Sequence, residues 1–266
     1  MSGLAVITGA SGGIGAAIAS QLLGQGYSIM LTGRNEERLA SLCRSLGDRY
    51  PESLITSVAA DLTEETGRQT VVQRIATLDA PLVLAVNNAG MGLFNLFQDI
   101  APSHLTQVLA TNVTAPILLT QAILERFAAT SPTLQIVNIG STFGSIGYPG
   151  FSGYCASKFA LRGWSEALAR EYADTGIRIR YFAPRATQTD LNTDAVNAMN
   201  RELGVTMDSA ERVAQEFVIF LKGRKTIAHI GWPERFFVWL NKISPNTVSS
   251  ALTKQLPIIR RHARRA

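Results

Sequence analysis

Residues 4–19 read LAVITGASGGIGAAIA. Leu4–Thr8 form a short apolar, β-prone run that passes directly into a glycine-rich turn and then into an alanine-rich helical stretch. Gly9, Gly13 and Gly15 have the spacing Gly-x-x-x-Gly-x-Gly. Such a turn lets the backbone approach a pyrophosphate, which then sits at a helix N-terminus with free N–H groups and a positive dipole end. The other common phosphate-binding turn requires Gly-Lys-Ser/Thr, and no lysine follows here.

The same strand–turn–helix unit repeats along the chain. Strands are expected at Leu4–Thr8, Ser28–Thr32, Leu54–Ala59, Leu82–Val86, Leu134–Ile139, Ile177–Phe182 and Thr226–Ile230. Runs such as LAVIT and LVLAV are apolar throughout, the pattern of parallel strands covered on both faces. Helical periodicity lies between them, at Ile14–Leu23, Glu36–Leu46, Glu64–Leu78 and Ser157–Tyr172. This alternation implies an α/β fold: a doubly wound parallel sheet of about seven strands with helices on both faces. No linker, repeat or low-complexity segment interrupts it, so residues 1–266 are expected to form a single domain.

Composition narrows the class. At 46% hydrophobic and 17% charged residues, 266 residues can bury a large core. Two cysteines, Cys43 and Cys155, suggest no disulfide framework, and no charged segment precedes an apolar one at the N-terminus, so a cytoplasmic location is expected. Three scattered histidines (His104, His229, His262) argue against a metal site built by the protein. From Arg235 onward there are seven Lys/Arg and no acid, whereas the preceding 234 residues carry 18 basic and 20 acidic groups. The net charge of +5 therefore belongs to the tail, and no nucleic-acid-binding domain is indicated.

The ends of the next strands specify what the turn would hold. After the second strand, SIMLTGRNEER places Gly33 where a carboxylate would accept the 2′-hydroxyl of NAD, and Arg34 follows. A guanidinium fork suits a 2′-phosphate, which favours NADP(H) over NAD(H); Arg34 could instead solvate the next helix. Asp61, after the third strand, could accept from an adenine amino group or cap the helix near Glu64. Asn87-Asn88-Ala89-Gly90 closes the fourth strand, at the edge where open α/β sheets bind ligands.

Taken together, TGASGGIG, NNAG, Asn112 in ATNVTAP, Ser141 in NIGS and Tyr154-x-x-x-Lys158 resemble the short-chain dehydrogenase/reductase family over roughly residues 3–190. The resemblance implies a Rossmann-like domain, NAD(P)-dependent carbonyl–alcohol interconversion, and a homodimer or homotetramer. It assigns Asn112, Ser141, Tyr154 and Lys158 to catalysis. It assigns Gly9, Ser11, Gly13, Ile14, Gly15, Arg34, Asp61, Leu62, Asn87, Ala89, Gly90 and Thr189 to the cofactor, with Tyr154 and Lys158 touching it as well. One departure stands out: the family's Pro-Gly after the sixth strand is Pro184-Arg185 here. That substitution questions the local backbone and brings an extra cation toward the nicotinamide end.

Tyr154 and Lys158 are four residues apart and share a helix face. A phenol with a reference pKa of about 10 is a poor base at neutral pH, and a neighbouring ammonium and a cationic nicotinamide would both lower that value. Tyr154 would then give a proton to a carbonyl oxygen or take one from an alcohol, while Ser141 stabilises the oxyanion. In the family's scheme Asn112 joins a water relay to Lys158, which also holds the nicotinamide ribose. A non-catalytic NADP(H)-binding sensor or scaffold is the competing function. Cys155, without a histidine partner, reads as a packed side chain.

Phe143, Ile146 and Tyr148, with Met91, Leu93 and Phe94, suggest apolar walls and hence a lipophilic ketone, aldehyde or β-ketoacyl substrate. In the family, residues 190–207 would form a lid. The basic C-terminal extension, residues 233–266, has one apolar face at Phe236, Phe237, Leu240 and Ile243 and another at Val248, Ala251, Leu252, Gln255 and Leu256. It has no run long enough to span a bilayer. It could lie on an anionic membrane surface as a peripheral contact, or pack over the pocket or a subunit partner.

Overall fold

The structure is a computed structural model that describes residues 3–264; Arg265, part of the basic extension, lies outside the described residues. Seven parallel strands form one sheet: β1 (Leu4–Thr8), β2 (Ser28–Gly33), β3 (Ile55–Ala59), β4 (Leu82–Asn87), β5 (Gln135–Ile139), β6 (Arg178–Ala183) and β7 (Ile227–His229). Their order is β3-β2-β1-β4-β5-β6-β7, so the chain reverses direction across the sheet between β1 and β4. Each strand lies within two residues of its expected position.

β1 shows how the sequence builds two layers. Ala5 and Ile7 point to one face, where they join Ile18 and Leu22 of α1 (Gly13–Leu23), Leu39 of α2 (Glu36–Arg49) and Phe217 of α8 (Ala210–Lys222). Leu4 and Val6 point to the other face, toward Val71 and Ile75 of α3 (Glu65–Ala76) and Leu119 and Ile123 of α5 (Ala115–Phe127). Strand alternation thus feeds both cores from one apolar run.

Two helical features bear on the site. The helical run from Pro102 to Phe127 is long and apolar enough to cross a bilayer, but here it packs against the sheet. It comprises α4 (Pro102–Leu109), a π-helical turn over Ala110–Thr114 and α5. The helix after β5 also begins five residues early: α6 spans Ser152–Glu171, because Gly150, at φ +80°, turns the chain sharply just before it. Four helices follow β6: α7 (Asp194–Glu202) and α8 before β7, then α9 (Glu234–Ile243) and α10 (Pro245–Ala263) after it.

Arg180 in the middle of β6 is 2% exposed. Its guanidinium donates to the carbonyls of Phe220, Leu221, Gly223 and Lys225 and lies 3.9 Å from the Phe220 ring centroid. It closes the C-terminal end of α8, where a helix leaves carbonyls unpaired.

Candidate active site

A cavity of about 800 Å³ opens along the C-terminal ends of the strands, at the reversal between β1 and β4. Its floor at one end is the turn after β1. Gly9 (φ +62°) and Gly13 (φ +55°) adopt conformations that side chains rarely take, and a Cβ on Gly9 would lie 2.6 Å from Cα of Ala89. No side chain caps α1 at Gly12, so its first N–H groups face the cavity unspent. A cradle that a single Cβ would fill, beneath an open helix N-terminus, fits a dinucleotide pyrophosphate. Gly15 does not line the cavity. A side chain there would strike Asn88 Nδ2 and the Gly9 carbonyl at 2.7 Å each, so this glycine permits close packing of helix and strand.

Ser11, Ile14, Arg34, Asp61, Leu62, Ala89, Gly90 and Thr189 all line this cavity. Arg38, one helical turn after Arg34, lines it too; the four-residue spacing in RNEER was the available signal. Asp61 Oδ1 accepts from the backbone N (2.9 Å) and hydroxyl (2.7 Å) of Thr63, and these bonds, aided by Arg34, hold its carboxyl below the usual range. It therefore forms a turn ahead of α3 rather than capping the helix itself.

Asn87 is turned away from the cavity. It is 5% exposed, and its amide donates to Thr120 Oγ1 (2.9 Å) and Asn138 Oδ1 (2.8 Å), extending a buried chain that reaches Ser165. Its neighbour Asn88 faces the turn instead and donates to the carbonyls of Thr8 and Gly9. The pleat of a strand sends adjacent side chains to opposite faces, which the doubled asparagine alone could not assign.

At the centre of the cavity are Ser141, Tyr154 and Lys158. Ser141 leaves β5 as the cap of a short turn, its Oγ accepting from Phe143 N at 3.1 Å. Tyr181 supports it from β6, its hydroxyl accepting from Ser141 N at 3.2 Å. α6 carries Tyr154 and Lys158 on one face, with Lys158 Nζ 5.7 Å from the tyrosine ring centroid and donating to the Ile139 carbonyl at 3.0 Å. Burial pushes the Tyr154 phenol up to about 12, partly opposed by a hydrogen bond with Ser141. Burial also brings Lys158 down to about 8. The expected lowering of the phenol is therefore reversed in the protein alone, because desolvation outweighs the Ser141 hydrogen bond that opposes it.

Asn112 sits in the π-helical turn, a distortion that often re-aims side chains at functional sites. It is 1% exposed, accepts from Met91 N (2.8 Å), and donates to Met91 O (2.9 Å) and Ser157 Oγ (3.0 Å). Asn112 does not line the cavity but stands behind Gly90, where an added Cβ would lie 3.2 Å from its Oδ1 and 3.8 Å from Lys158 Nζ.

Beyond Tyr154 the cavity becomes apolar. Phe143 stacks on Tyr148 at 4.8 Å, and Phe151 and Ile146 continue that wall. Met91 lines the chamber, whereas Phe94 backs it, packed on Phe151 at 4.7 Å; Leu93 lies near Gly153. α7 contributes Val196 and Met199 from the expected lid. The C-terminal extension closes the far side with Phe237 and Leu240 of α9 and Val248, Ala251 and Leu252 of α10. Tyr148 donates to Gln255 Oε1 at 2.9 Å across this seam. Glu202 of α7 ties to α10 through Arg261 and through His262 Nε2 at 2.8 Å. Cys155 is buried, and burial pushes its thiol up, consistent with a packing role.

Arg185 lines the cavity, but its charge there is paired rather than free. Its guanidinium meets Asp208 and Glu234, and the backbone there needs no positive φ, since among the described residues only glycines adopt one.

A family profile described as short chain dehydrogenase matches residues 3–200. A 3-oxoacyl-[acyl-carrier-protein] reductase of Rickettsia bellii is 36% identical over 198 residues, covering 74% of this chain and 78% of that one. A Burkholderia cenocepacia short chain dehydrogenase solved in complex with NADP is 28% identical, covers 87% of this chain and 97% of its own, and superposes with a TM-score of 0.76. A Burkholderia phymatum short chain dehydrogenase/reductase in complex with NAD shares the fold, with a TM-score of 0.81 over 92% and 95% of the two chains at 22% identity. The match over most of the chain, on the Rossmann-like sheet described above, makes this protein a member of the short-chain dehydrogenase family, an oxidoreductase that interconverts a carbonyl and an alcohol.

Proposed function

We propose that this chain is an NADP(H)-preferring carbonyl reductase acting on a lipophilic ketone, aldehyde or β-ketoacyl substrate. The observation that carries this reading is the position of Tyr154, in one continuous cavity between a glycine-floored cradle and an apolar chamber. A bound nicotinamide supplies hydride to the carbonyl carbon in reduction and takes it from the alcohol in oxidation.

Tyr154 holds a proton at its phenol oxygen. With its pKa raised to about 12 it is fully protonated at neutral pH, the form needed to donate to a carbonyl oxygen. Ser141 donates a hydrogen bond to the same oxygen as charge develops there. Lys158, at about 8, remains mostly an ammonium at neutral pH and favours the phenolate left behind. Asn112 fixes the Met91 backbone and Ser157 beside that lysine, so it is a positioning residue.

NADP(H) is favoured by Arg34 and Arg38 at the end of β2, where Gly33 leaves no carboxylate to receive a ribose 2′-hydroxyl. The substrate class is supported by the chamber walls from Phe143 to Leu252 and by the β-ketoacyl substrate in the name of the Rickettsia relative. A homodimer or homotetramer is the expected assembly, and light scattering would measure it.

The deciding experiment is NADPH consumption over a panel of ketones, aldehydes and acyl thioesters by the wild type and Tyr154→Phe. The expected result is turnover with at least one apolar member, lowered by about 10²–10⁴-fold in the variant, with NADPH binding unchanged. Equal consumption by both proteins, or none by either, would leave the sensor or scaffold reading in its place.

A further inference from the structure

α9 has two faces of different chemistry. The inner face is committed to the protein: Val238 is 4% exposed, Asn241 donates to the Ser145 carbonyl at 3.0 Å, and Glu234 accepts from Arg185. Phe237 and Leu240 line the substrate chamber. Among the described residues the outer face has no such partners. Trp232, Phe236, Trp239 and Ile243 are 72%, 39%, 54% and 61% exposed, and the three rings form a chain with centroids 5.9 and 5.7 Å apart. Arg235 and Lys242 are exposed among them.

We propose that this outer face of α9 docks the enzyme on an anionic lipid surface, with the mouth of the substrate chamber facing the bilayer. Three observations select lipid over other occupants. First, the face is aromatic and cationic together, the combination that settles at the headgroup boundary of an anionic leaflet. Second, no acid follows Glu234 in the sequence, and Glu234 itself is drawn inward to Arg185. A second copy laid face to face would oppose two cationic surfaces, whereas anionic headgroups complement them. Third, Phe237 is 42% exposed while also lining the chamber, so the outer aromatic surface runs continuously into the pocket wall. A lipophilic carbonyl compound dissolved in the bilayer would enter without crossing water; this route rests on the substrate class proposed above.

The mode is interfacial and needs no spanning helix. α9 has ten residues, too short to cross the hydrocarbon core. α10 is held down by Glu202 and by buried Ile259 and His262, so it serves as the inner layer of the cap and leaves α9 as the contact layer.

The test is co-sedimentation of the full chain with vesicles of phosphatidylcholine alone and of an equimolar phosphatidylcholine–phosphatidylglycerol mixture. The expected result is binding to the mixed vesicles that falls with salt, a blue shift of tryptophan emission, and little binding to phosphatidylcholine. The double variant Phe236→Ser/Trp239→Ser should lower the bound fraction by about tenfold or more. Arg235→Gln/Lys242→Gln should weaken binding and flatten its salt dependence. NADPH binding by each variant confirms that it is folded. Equal binding to both vesicle types, or none, overturns the proposal. Loss of self-association in F236S/W239S, measured by light scattering without any vesicle binding, would assign the face to a second copy instead. Binding is scored without turnover, so failure of the carbonyl panel would remove the substrate route and leave the docking result readable.

Discussion

Arg185 clasps Asp208 through two parallel bonds of 2.7 Å, from Nε to Oδ2 and from Nη2 to Oδ1. The same guanidinium reaches the Trp232 carbonyl at 3.2 Å and Glu234 at 3.4 Å. One residue at the exit of β6 therefore joins the loop bearing Thr189, the segment after α7 and the start of α9. Gly231 leaves room for the arrangement, since a Cβ there would lie 2.5 Å from Arg185 Cδ.

Removal of this clasp should loosen the cap. Arg185→Ala leaves Asp208 5% exposed with its bidentate partner gone, and we expect a loss of about 2–4 kcal/mol in urea denaturation. Arg185→Lys should recover only part, because an ammonium cannot reproduce the planar fork. Asp208 is held below its ordinary carboxylate range chiefly by Arg185. Its contribution is therefore fully present above about pH 4 and is lost as pH falls through the lowered value. An acid titration of wild-type stability should show a component that Arg185→Ala lacks.

Cofactor preference should depend on two arginines. Loss of a charge-assisted hydrogen bond to phosphate costs about 1.5–3 kcal/mol, so Arg34→Ala and Arg38→Ala should each weaken NADPH binding by roughly 10–100-fold. NADH binding should change by less than about threefold. Fluorescence titration of both nucleotides against both variants checks this, and a wild type without preference for NADPH would sink the assignment.

His229 should make the fold acid-sensitive before any carboxylate does. Its Nε2 lies 2.8 Å from Ser145 Oγ, and that oxygen accepts from Arg162 Nη1 at 2.5 Å. Burial first, and then the charge of Arg162, push His229 down to about 4. The unfolded chain binds this proton near pH 6.5, but the folded chain resists until about 4. Stability should fall by up to about 3 kcal/mol as pH drops through that window, with no loss above it. His229→Gln should flatten the Tm profile between pH 6.5 and 4.

The sheet and the glycine-floored end of the cavity were legible because their signals are local. β1 and its turn are one contiguous string, and Arg34 follows its strand immediately. The parts that escaped depend on partners distant in the chain. IRIRYF reads as a strand, but nothing local shows that Arg180 is buried, because the carbonyls ending α8 arrive some forty residues later. Phe236 and Phe237 are adjacent, equally aromatic and similarly exposed, but only the packing of α9 on Ser145 and Arg185 brings Phe237 and not Phe236 to the chamber wall. Arg185 reads as a cation near the nicotinamide until Asp208 and Glu234 are brought beside it. The phenol of Tyr154 follows the same rule, since its burial is a property of the assembled wall.

The π-helical turn at residues 110–114 has a consequence for the register of the helix that contains it. One inserted residue advances every later side chain by about 100° relative to an unbroken α-helix. Val108 and Ala115 are seven apart and would ordinarily share a stripe; here α4 leans on α6 while α5 packs on α3. The helix thus carries a phase slip that lets one continuous rod serve two neighbours. Deleting a single residue between 110 and 114 would restore the regular ladder and swing the α5 face off the sheet, a larger disruption than any substitution at the same positions.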